Sequence, residues 1–283
     1  MTILSRSRST DPPKSNQNSP QVGLFWSARA QISEKFLKKV LTNPFSCGII
    51  ITVRTRYTKG FDTMFTLDDR FIVVDTETTN SLDDPLCYDV GFAVVDILGN
   101  VYENYSFVVA DIFLDKELMT SAYFADKIPQ YWTDIKNGTR ELKTFFNIKK
   151  TFADCVKRNG VKIVLAHNAR FDNRSLNLTQ RYLTCSKYRY FFPFEIEIWD
   201  TLKMSREVLK NNDAYSDFCY NNDYLTARMV RRYTAEIIFR FLSGNNDFEE
   251  SHTGLEDVLI EKEIFVFCVS VKPEIDGALW ARG

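Results

Sequence analysis

Apolar runs alternate with polar clusters through the middle of the chain, and two of these runs end in acidic motifs. The run FIVV at residues 71–74 is rich in β-branched side chains and predicts a buried strand. Strands are also predicted near residues 89–97 and 101–109, and Leu98-Gly99-Asn100 between them favours a hairpin. The pattern therefore predicts three meandering strands.

The rest of the chain predicts helices alternating with strands. Helices are predicted near residues 141–158, 173–187, 201–210, 225–243 and 255–268, with strands at residues 161–166 and 195–199. A meander followed by such alternation predicts an α/β fold, a mixed sheet of about five strands whose first three are antiparallel, flanked by helices.

The first acidic motif, Asp75-Thr76-Glu77-Thr78, follows the first predicted strand. Residues two apart on a strand point to the same side, so the carboxylates of Asp75 and Glu77 can converge on one point. Their repulsion would raise one pKa unless cations share the site, and hard oxygen ligands suit Mg²⁺ or Mn²⁺. The alternative interpretation is a surface turn that only caps the strand.

The second motif, HNARFD at residues 167–172, follows the strand predicted at residues 161–166. Asp172 is expected where the next helix begins, facing the end of the first strand. His167 lies beside a strand end, and we interpret it as a structural, hydrogen-bonding histidine rather than a catalytic one.

The third motif, HTGLED at residues 252–257, leads into the last predicted helix. His252 is expected on the loop and Asp257 on the helix, so the histidine can lean over a metal site that the carboxylate ligates. Imidazole titrates near neutrality and can take a proton from water and return it. The alternative interpretation is a helix cap with a neighbouring surface histidine.

In this order, DTET, HNARFD and HTGLED resemble the motifs of the DEDDh family of 3′-to-5′ exonucleases, which contains the proofreading epsilon subunit of bacterial DNA polymerase III. The resemblance runs from about Arg70 to Cys268. It implies an RNase H-like sheet whose one end gathers the three motifs, and a site for two Mg²⁺ or Mn²⁺ ions.

The resemblance also implies a role for each motif residue. Asp75 would bridge both metals, and Glu77 and Asp257 would hold the metal that activates the attacking water. Asp172 would hold the other metal, and His252 would be the general base.

The function expected from the resemblance is release of nucleoside 5′-monophosphates from the 3′ end of single-stranded or frayed DNA. Thr78 and Phe171 would contact the terminal nucleotide, and a DNA polymerase or replication complex is the expected protein partner. RNA is the alternative substrate. A catalytically silent nucleic-acid-binding or polymerase-associated module is the alternative of another class, although such a module would gain nothing from keeping four repelling carboxylates.

Composition predicts a soluble, cytoplasmic protein without a membrane association. The chain has 283 residues, 45% of them hydrophobic, and its longest apolar run near the N-terminus, residues 47–53, falls short of the roughly 20 residues that a spanning helix needs. The six cysteines form no CxxC pair, which indicates reduced thiols.

Charge divides the chain into an extension and a catalytic body. Residues 1–60 contain ten Lys or Arg and two Asp or Glu, whereas the remainder carries a net charge of −9. We therefore predict a basic, partly disordered extension at residues 1–65, an exonuclease domain at residues 66–270 and a C-terminal tail at residues 271–283.

Overall fold

The structure is a computed structural model and describes residues 65–185, 187 and 189–274. The predicted extension, apart from Phe65, and the end of the predicted tail lie outside the described residues. Phe65 is buried and packs edge-on against Phe71, with ring centroids 5.0 Å apart, so the packed core includes this residue.

The described residues contain one mixed sheet of six strands. Its strands are β1 (Phe71–Thr79), β2 (Leu86–Val95), β3 (Val101–Val109), β4 (Glu141–Lys143), β5 (Ile163–Ala166) and β6 (Glu197–Asp200), in the spatial order β4-β3-β2-β1-β5-β6. The first three strands are antiparallel, whereas β4, β5 and β6 each run parallel to their sequence-earlier neighbour in the sheet. The RNase H-like architecture predicted from the sequence is confirmed, with six strands instead of about five.

The helices flank this sheet. They are α1 (Ala110–Phe113), α2 (Lys116–Met119), α3 (Ile128–Asn137), α4 (Phe145–Asn159), α5 (Ala169–Leu183), α6 (Thr201–Leu209), α7 (Asp213–Asn221), α8 (Ala235–Ser243) and α9 (Gly254–Val271), with a 3₁₀ turn at Ala125–Lys127. Among the described residues, no helix combines the length and apolar character needed to cross a membrane.

The alternation of β1 assigns its side chains to two different cores. Ile72 and Val74 share one core with Leu176 of α5, whereas Phe71 and Val73 share the other core with α9. Phe71 contacts Phe265 of α9 at a centroid separation of 4.9 Å. Because side chains alternate along a strand, Asp75 and Glu77 continue the row of Phe71 and Val73 and point toward the α9 side.

Three predicted helices were wrong at their N-terminal ends, and the one predicted near residues 173–187 spans Ala169–Leu183. The helix predicted from residue 141 begins at Phe145, because residues 141–143 pair with β3 as strand β4 and Thr144 caps the helix by accepting from the Asn147 N–H. The helix predicted from residue 225 begins at Ala235, because residues 225–231 form a tight turn closed by a bridge between Leu225 and Arg231.

The short helices α1 and α2 and the longer helices α3 and α7 were not predicted. β1 is also longer than expected, since it continues through the whole DTET motif to Thr79 and pairs with β2 over that length. The interpretation of the motif as a surface turn is therefore wrong.

Candidate metal centre

Asp75 and Glu77 lie on β1, in the region where it still pairs with β2. Asp75 is opposite Gly91 and Glu77 is opposite Asp89, and the register shifts immediately afterwards at a bulge between Glu77 and Thr78. Glu77 is buried at 8% exposure, whereas Asp75 is partly exposed. Bulges beside a functional site commonly re-aim side chains, and this one follows the second carboxylate directly.

Two glycines allow α9 to begin close against this part of the sheet. A Cβ on Gly91 would lie 2.2 Å from the carbonyl carbon of Gly254, and a Cβ on Gly254 would lie 2.7 Å from the Gly91 nitrogen. No side chain fits in either place, so glycine is required for the approach of the two backbones. The contact brings the first turn of α9, with Asp257, alongside Glu77.

Asp257 is oriented by the loop that enters α9. Its Oδ2 accepts a hydrogen bond of 2.9 Å from the Thr253 backbone N–H, and its Oδ1 accepts a longer one of 3.4 Å from the Ser251 hydroxyl. The carboxylate is thus anchored at both oxygens and is 4% exposed.

Glu77, His252 and Asp257 each place one potential ligand atom within 4.8 Å of the other two, which is the spacing of a metal-binding group. His252 has a positive φ of 52° and stacks on Phe124, with the ring centroids 4.2 Å apart and the planes inclined by 9°. The left-handed backbone and the stacked ring hold the imidazole over the two carboxylates.

Asp172 reaches the site from the helix on the other face of the sheet. It lies in the first turn of α5, as predicted, and its Oδ1 accepts a 2.8 Å hydrogen bond from the Thr76 hydroxyl. Asp172 lies close enough to Asp75 that its carboxylate adds to the electrostatic repulsion felt at Asp75.

Burial raises the pKa of every carboxyl group in this cluster, and repulsion from neighbouring carboxylates adds to the effect at Asp75, Glu77 and Asp257. Burial, with repulsion from Asp89 and Asp257, raises the pKa of Glu77 to about 9. Burial raises the pKa of Asp257 to about 8 and that of Asp172 to about 7, and it raises the pKa of Asp75 well above its ordinary value. A cluster in which deprotonation is this unfavourable lacks positive charge.

The donor set fits a hard divalent cation. In the part of the chain that the structure describes, no Lys or Arg forms an ion pair with Asp75, Glu77, Asp172 or Asp257. Carboxylate oxygens from several elements with one neighbouring imidazole are the donors that Mg²⁺ and Mn²⁺ accept. These residues could therefore hold the cations that the sequence predicted.

Two further acidic residues of the cluster were missed in the sequence. Glu261 lies one turn after Asp257 on α9 and is 3% exposed, and Glu250 lies on the loop before it, with its Oε2 3.9 Å from Nδ1 of His252. Burial, with repulsion from Glu236, raises the pKa of Glu250 to about 7. Glu261 could have been recognised as a charged residue four positions after Asp257 in a mostly apolar helix.

A third acidic residue, Asp89, has protein partners at one carboxylate oxygen, whereas its Oδ1 is buried without a hydrogen bond among the described residues. Its Oδ2 accepts hydrogen bonds from the Tyr131 hydroxyl at 2.6 Å, from Arg140 at 3.1 Å and from the Gly254 backbone N–H at 3.0 Å. Arg140 is buried and also pairs with Glu256 at 2.8 Å. Asp89 therefore ties the N-terminus of α9 to the sheet and positions the motif that contains Asp257.

His167 has a structural environment, as its sequence context suggested. Its Nε2 donates to the Tyr233 carbonyl at 2.7 Å, which leaves Nδ1 to accept from the Thr201 hydroxyl at 3.0 Å. Burial lowers the pKa of His167, so the ring is neutral at pH 7. Both nitrogens are occupied, and neither is available for proton transfer to a substrate.

The two predicted substrate contacts are each adjacent in sequence to a carboxylate of the cluster. Thr78 follows Glu77 directly and is buried, and its carbonyl accepts a 3.3 Å hydrogen bond from the backbone N–H of Tyr123. Phe171 precedes Asp172 on α5 and is half-buried. Tyr123 is 74% exposed, and its ring packs at a right angle against that of Phe124, which stacks on His252.

A separate concavity of about 490 Å³ contains none of the motif residues. Its lining is mostly basic and consists of Lys203, Arg206, Glu207, Lys210, Val230, Arg231 and Tyr233. Tyr233 of this lining also accepts the hydrogen bond from His167 through its carbonyl.

No family model matches the chain, and no curated protein matches it. Among solved structures, Exonuclease X in complex with 5′ overhanging duplex DNA has a TM-score of 0.43 and 14% identity, covering 74% of this chain and 96% of that one. The zinc-bound complex of E. coli ExoI with single-stranded DNA has a TM-score of 0.47 and 16% identity, covering 73% of this chain but only 41% of that one. S. pombe Pop2p, in its Mg²⁺- and Mn²⁺-bound form, has a TM-score of 0.39 and 14% identity, with coverages of 74% and 87%. All three TM-scores lie below 0.5, so these likenesses decide nothing about the activity of this chain.

Proposed function

We propose that the chain is a metal-dependent 3′-to-5′ exonuclease of the DEDDh type that releases nucleoside 5′-monophosphates from the 3′ end of single-stranded or frayed DNA. The observation that supports it most is the convergence of Glu77, His252 and Asp257 within 4.8 Å beside Asp75 and Asp172, from three sequence motifs far apart in the chain. A structural role does not account for so many buried carboxylates without a cationic partner.

Each carboxylate has a proposed part in holding two cations. Glu77 and Asp257 would bind one cation, Asp172 would bind the other, and Asp75 would bind both. When bound, the two cations would activate the attacking water and stabilise negative charge on the leaving 3′ oxygen. Asp257 enters this role already oriented, because Thr253 and Ser251 fix its carboxylate.

His252 is proposed as the general base rather than as a ligand, since Mg²⁺ prefers the oxygen donors that surround it. Burial lowers the pKa of His252, so its imidazole is neutral at pH 7 and has a nitrogen able to accept the proton of water. Stacking on Phe124 holds the ring in place, and Glu250 lies near enough to stabilise the imidazolium that forms.

The nucleic-acid end is proposed to lie between the segment after Glu77 and the start of α5. Thr78 and Phe171 would contact the terminal nucleotide, and the exposed ring of Tyr123 would stack on an unpaired base. Because stacking on Tyr123 requires an unpaired base, the 3′ end that enters this site has to be single-stranded or frayed. Association with a DNA polymerase or replication complex, and hence a role in proofreading, remains a prediction from the sequence resemblance.

The test is hydrolysis of end-labelled oligonucleotides by the full chain. With a 5′ label on single-stranded DNA and Mg²⁺, we expect a ladder that shortens from the 3′ end together with release of 5′-mononucleotides, and no products in EDTA. The Asp257→Asn variant should be inactive, whereas Asp154→Asn, which changes an exposed carboxylate on α4, should retain parental activity. The same assay with RNA decides between the two substrates. Cleavage that persists in EDTA, or equally in Asp257→Asn, would contradict the proposal.

A further inference from the structure

Helix α9 carries a second buried carboxylate on the face that bears Asp257. Residues four apart on a helix lie one above the other, so Glu261 follows Asp257 along the surface that packs against β1 and β2. Its exposure is 3%, lower than that of Asp257. The side chain therefore points into the protein on the Asp257 face of the helix and not into solvent.

One oxygen of this carboxylate lacks a partner. Among the described residues, Oε2 of Glu261 is buried without a hydrogen bond, and no Lys or Arg forms an ion pair with the group. Its helix neighbours Lys262 and Glu263 pair with each other. A buried carboxylate oxygen without a donor is costly, so it is expected to have a partner that the protein itself does not provide.

The charged groups that act most strongly on Glu261 include the proposed metal ligands Asp172 and Asp257. Among the carboxylates that repel Asp75, Glu261 contributes most, ahead of Asp172 and Glu77. Repulsion at Glu261 itself comes from Asp172, Glu250 and Asp257, and a hydrogen bond from the backbone amide of His167 partly offsets it. Glu261 thus interacts with Asp75 and Asp172 and lies outside the compact group of Glu77, His252 and Asp257.

We propose that Glu261 is a fifth carboxylate ligand of the divalent cations, bound directly or through one water on the Asp75 and Asp172 side of the centre. This inference rests on the metal centre of the proposed function. It gives the cation held by Asp75 and Asp172 a third carboxylate. It also gives the unpartnered oxygen of Glu261 its partner.

The test compares Glu261→Gln with Glu263→Gln, a matched control on the same helix whose carboxylate pairs with Lys262 and is partly exposed. Metal-free proteins are titrated with Mn²⁺ by calorimetry, and thermal unfolding is measured with and without Mn²⁺. We expect Glu261→Gln to lose one bound equivalent or to bind roughly tenfold or more weakly, with a smaller metal-induced rise in Tm. The control should match the parent. Parental stoichiometry and affinity in Glu261→Gln would show that Glu261 is only a buried neutral acid, and would overturn the inference.

A second measurement does not depend on the stability of the variant. In a crystal structure of the parent with Mn²⁺, an oxygen of Glu261 should lie at ligand distance from an anomalous peak or be bridged to it by one water, and a carboxylate remote from every peak would overturn the inference. The activity assay separates the two proposals. A parent that binds Mn²⁺ without cleaving DNA or RNA contradicts the exonuclease alone, whereas an active parent with unaltered metal binding in Glu261→Gln contradicts the role of Glu261 alone.

Discussion

Two buried acidic groups lie directly opposite each other on neighbouring strands, and they are neutralised in different ways. Asp89 on β2 receives three hydrogen bonds, one of them from the buried guanidinium of Arg140. Glu77 on β1 is paired with Asp89 in the strand register, yet no Lys or Arg of the described residues forms an ion pair with it. Burial, with repulsion from Asp89, accordingly raises the pKa of Glu77 to about 9.

The difference shows which charges the fold needs and which it leaves for a ligand. Asp89 and Arg140 connect β2, the segment before β4 and the start of α9, so their charges serve the architecture. The carboxylates around Glu77 accept hydrogen bonds from Thr76, Ser251 and Thr253, but none of them forms an ion pair with a Lys or Arg of the described residues, and they repel one another when ionised. Arg140 forms an ion pair with Asp89, but no Lys or Arg of the described residues does so with Glu77 on the neighbouring strand. This difference indicates that an external cation neutralises Glu77.

The largest effect is expected when a ligand of the proposed centre is removed. In Asp75→Ala or Asp172→Ala, turnover should fall by roughly 10³-fold or more, because each change removes a group that holds a cation. Stability in EDTA should be unchanged or higher for Asp75→Ala, since a repelling carboxylate is gone. Activity within a few-fold of the parent at saturating Mg²⁺ would refute the proposed ligand set.

Substitutions of the two histidines should have different effects on turnover in the same assay. His252→Ala should lower turnover by about 10² to 10⁴, the contribution of a positioned general base, while Mn²⁺ binding to the carboxylates persists. His167→Ala should act mainly on stability, because it removes the bonds to Tyr233 and Thr201. If His167→Ala lost activity at parental stability while His252→Ala kept it, the base would be misassigned.

The ion pair of Asp89 and Arg140 can be broken by removing the guanidinium group of Arg140. Arg140→Met should destabilise the metal-free protein by about 3–5 kcal/mol in urea unfolding, because it leaves the Asp89 carboxylate buried and uncompensated. Adding Asp89→Asn should recover part of the loss in a double-mutant cycle. Glu77→Gln, the matched change on the opposite strand, should cost little or nothing in EDTA. Equal losses in Arg140→Met and Glu77→Gln would remove the distinction between the two groups.

The pH dependence of stability tests the same difference without a substitution. Because burial raises the pKa of Asp172 to about 7 and that of Asp257 to about 8, the folded protein binds more protons than the unfolded chain between about pH 4 and pH 8. Their contribution to stability is therefore complete below pH 4 and is lost as pH rises through these values. In EDTA, Tm should fall from pH 5.5 to pH 8.5, by on the order of 2–4 °C for each kcal/mol lost. Mg²⁺ should flatten this slope, and a Tm that rises with pH in EDTA would contradict the predicted sign.

The sequence predicted the parts of the site that depend on local pattern. That Asp75 and Glu77 point to the same side follows from the two-residue period of a strand alone. The position of Asp172 at the start of a helix follows from the apolar strand run before it and the helix-compatible residues after it. The close approach of Gly91 and Gly254 could not be predicted, because it depends on how a helix packs on a strand more than 160 positions away in the sequence. The pairing of Asp89 with Arg140 is likewise tertiary.

The predictions from the sequence were wrong for segments in which the local pattern favours one structure and tertiary contacts impose another. Residues 141–143 continue a helical pattern but pair with β3, and residues 225–231 are held in a turn by their own backbone hydrogen bonds. Glu261 is different, because a charged residue four positions after Asp257 in a mostly apolar helix is a signal that the sequence itself contains.

Direct titration of the metal-free chain with Mn²⁺ tests the central claim most closely, with Glu77→Gln, Asp257→Asn and the surface control Asp154→Asn measured beside the parent. The account predicts that the parent and the control bind the cation with the same affinity and that both site variants bind it at least roughly tenfold more weakly. A parent that binds no divalent cation, or site variants that bind it as the parent does, would contradict the assignment of this carboxylate cluster as a metal centre.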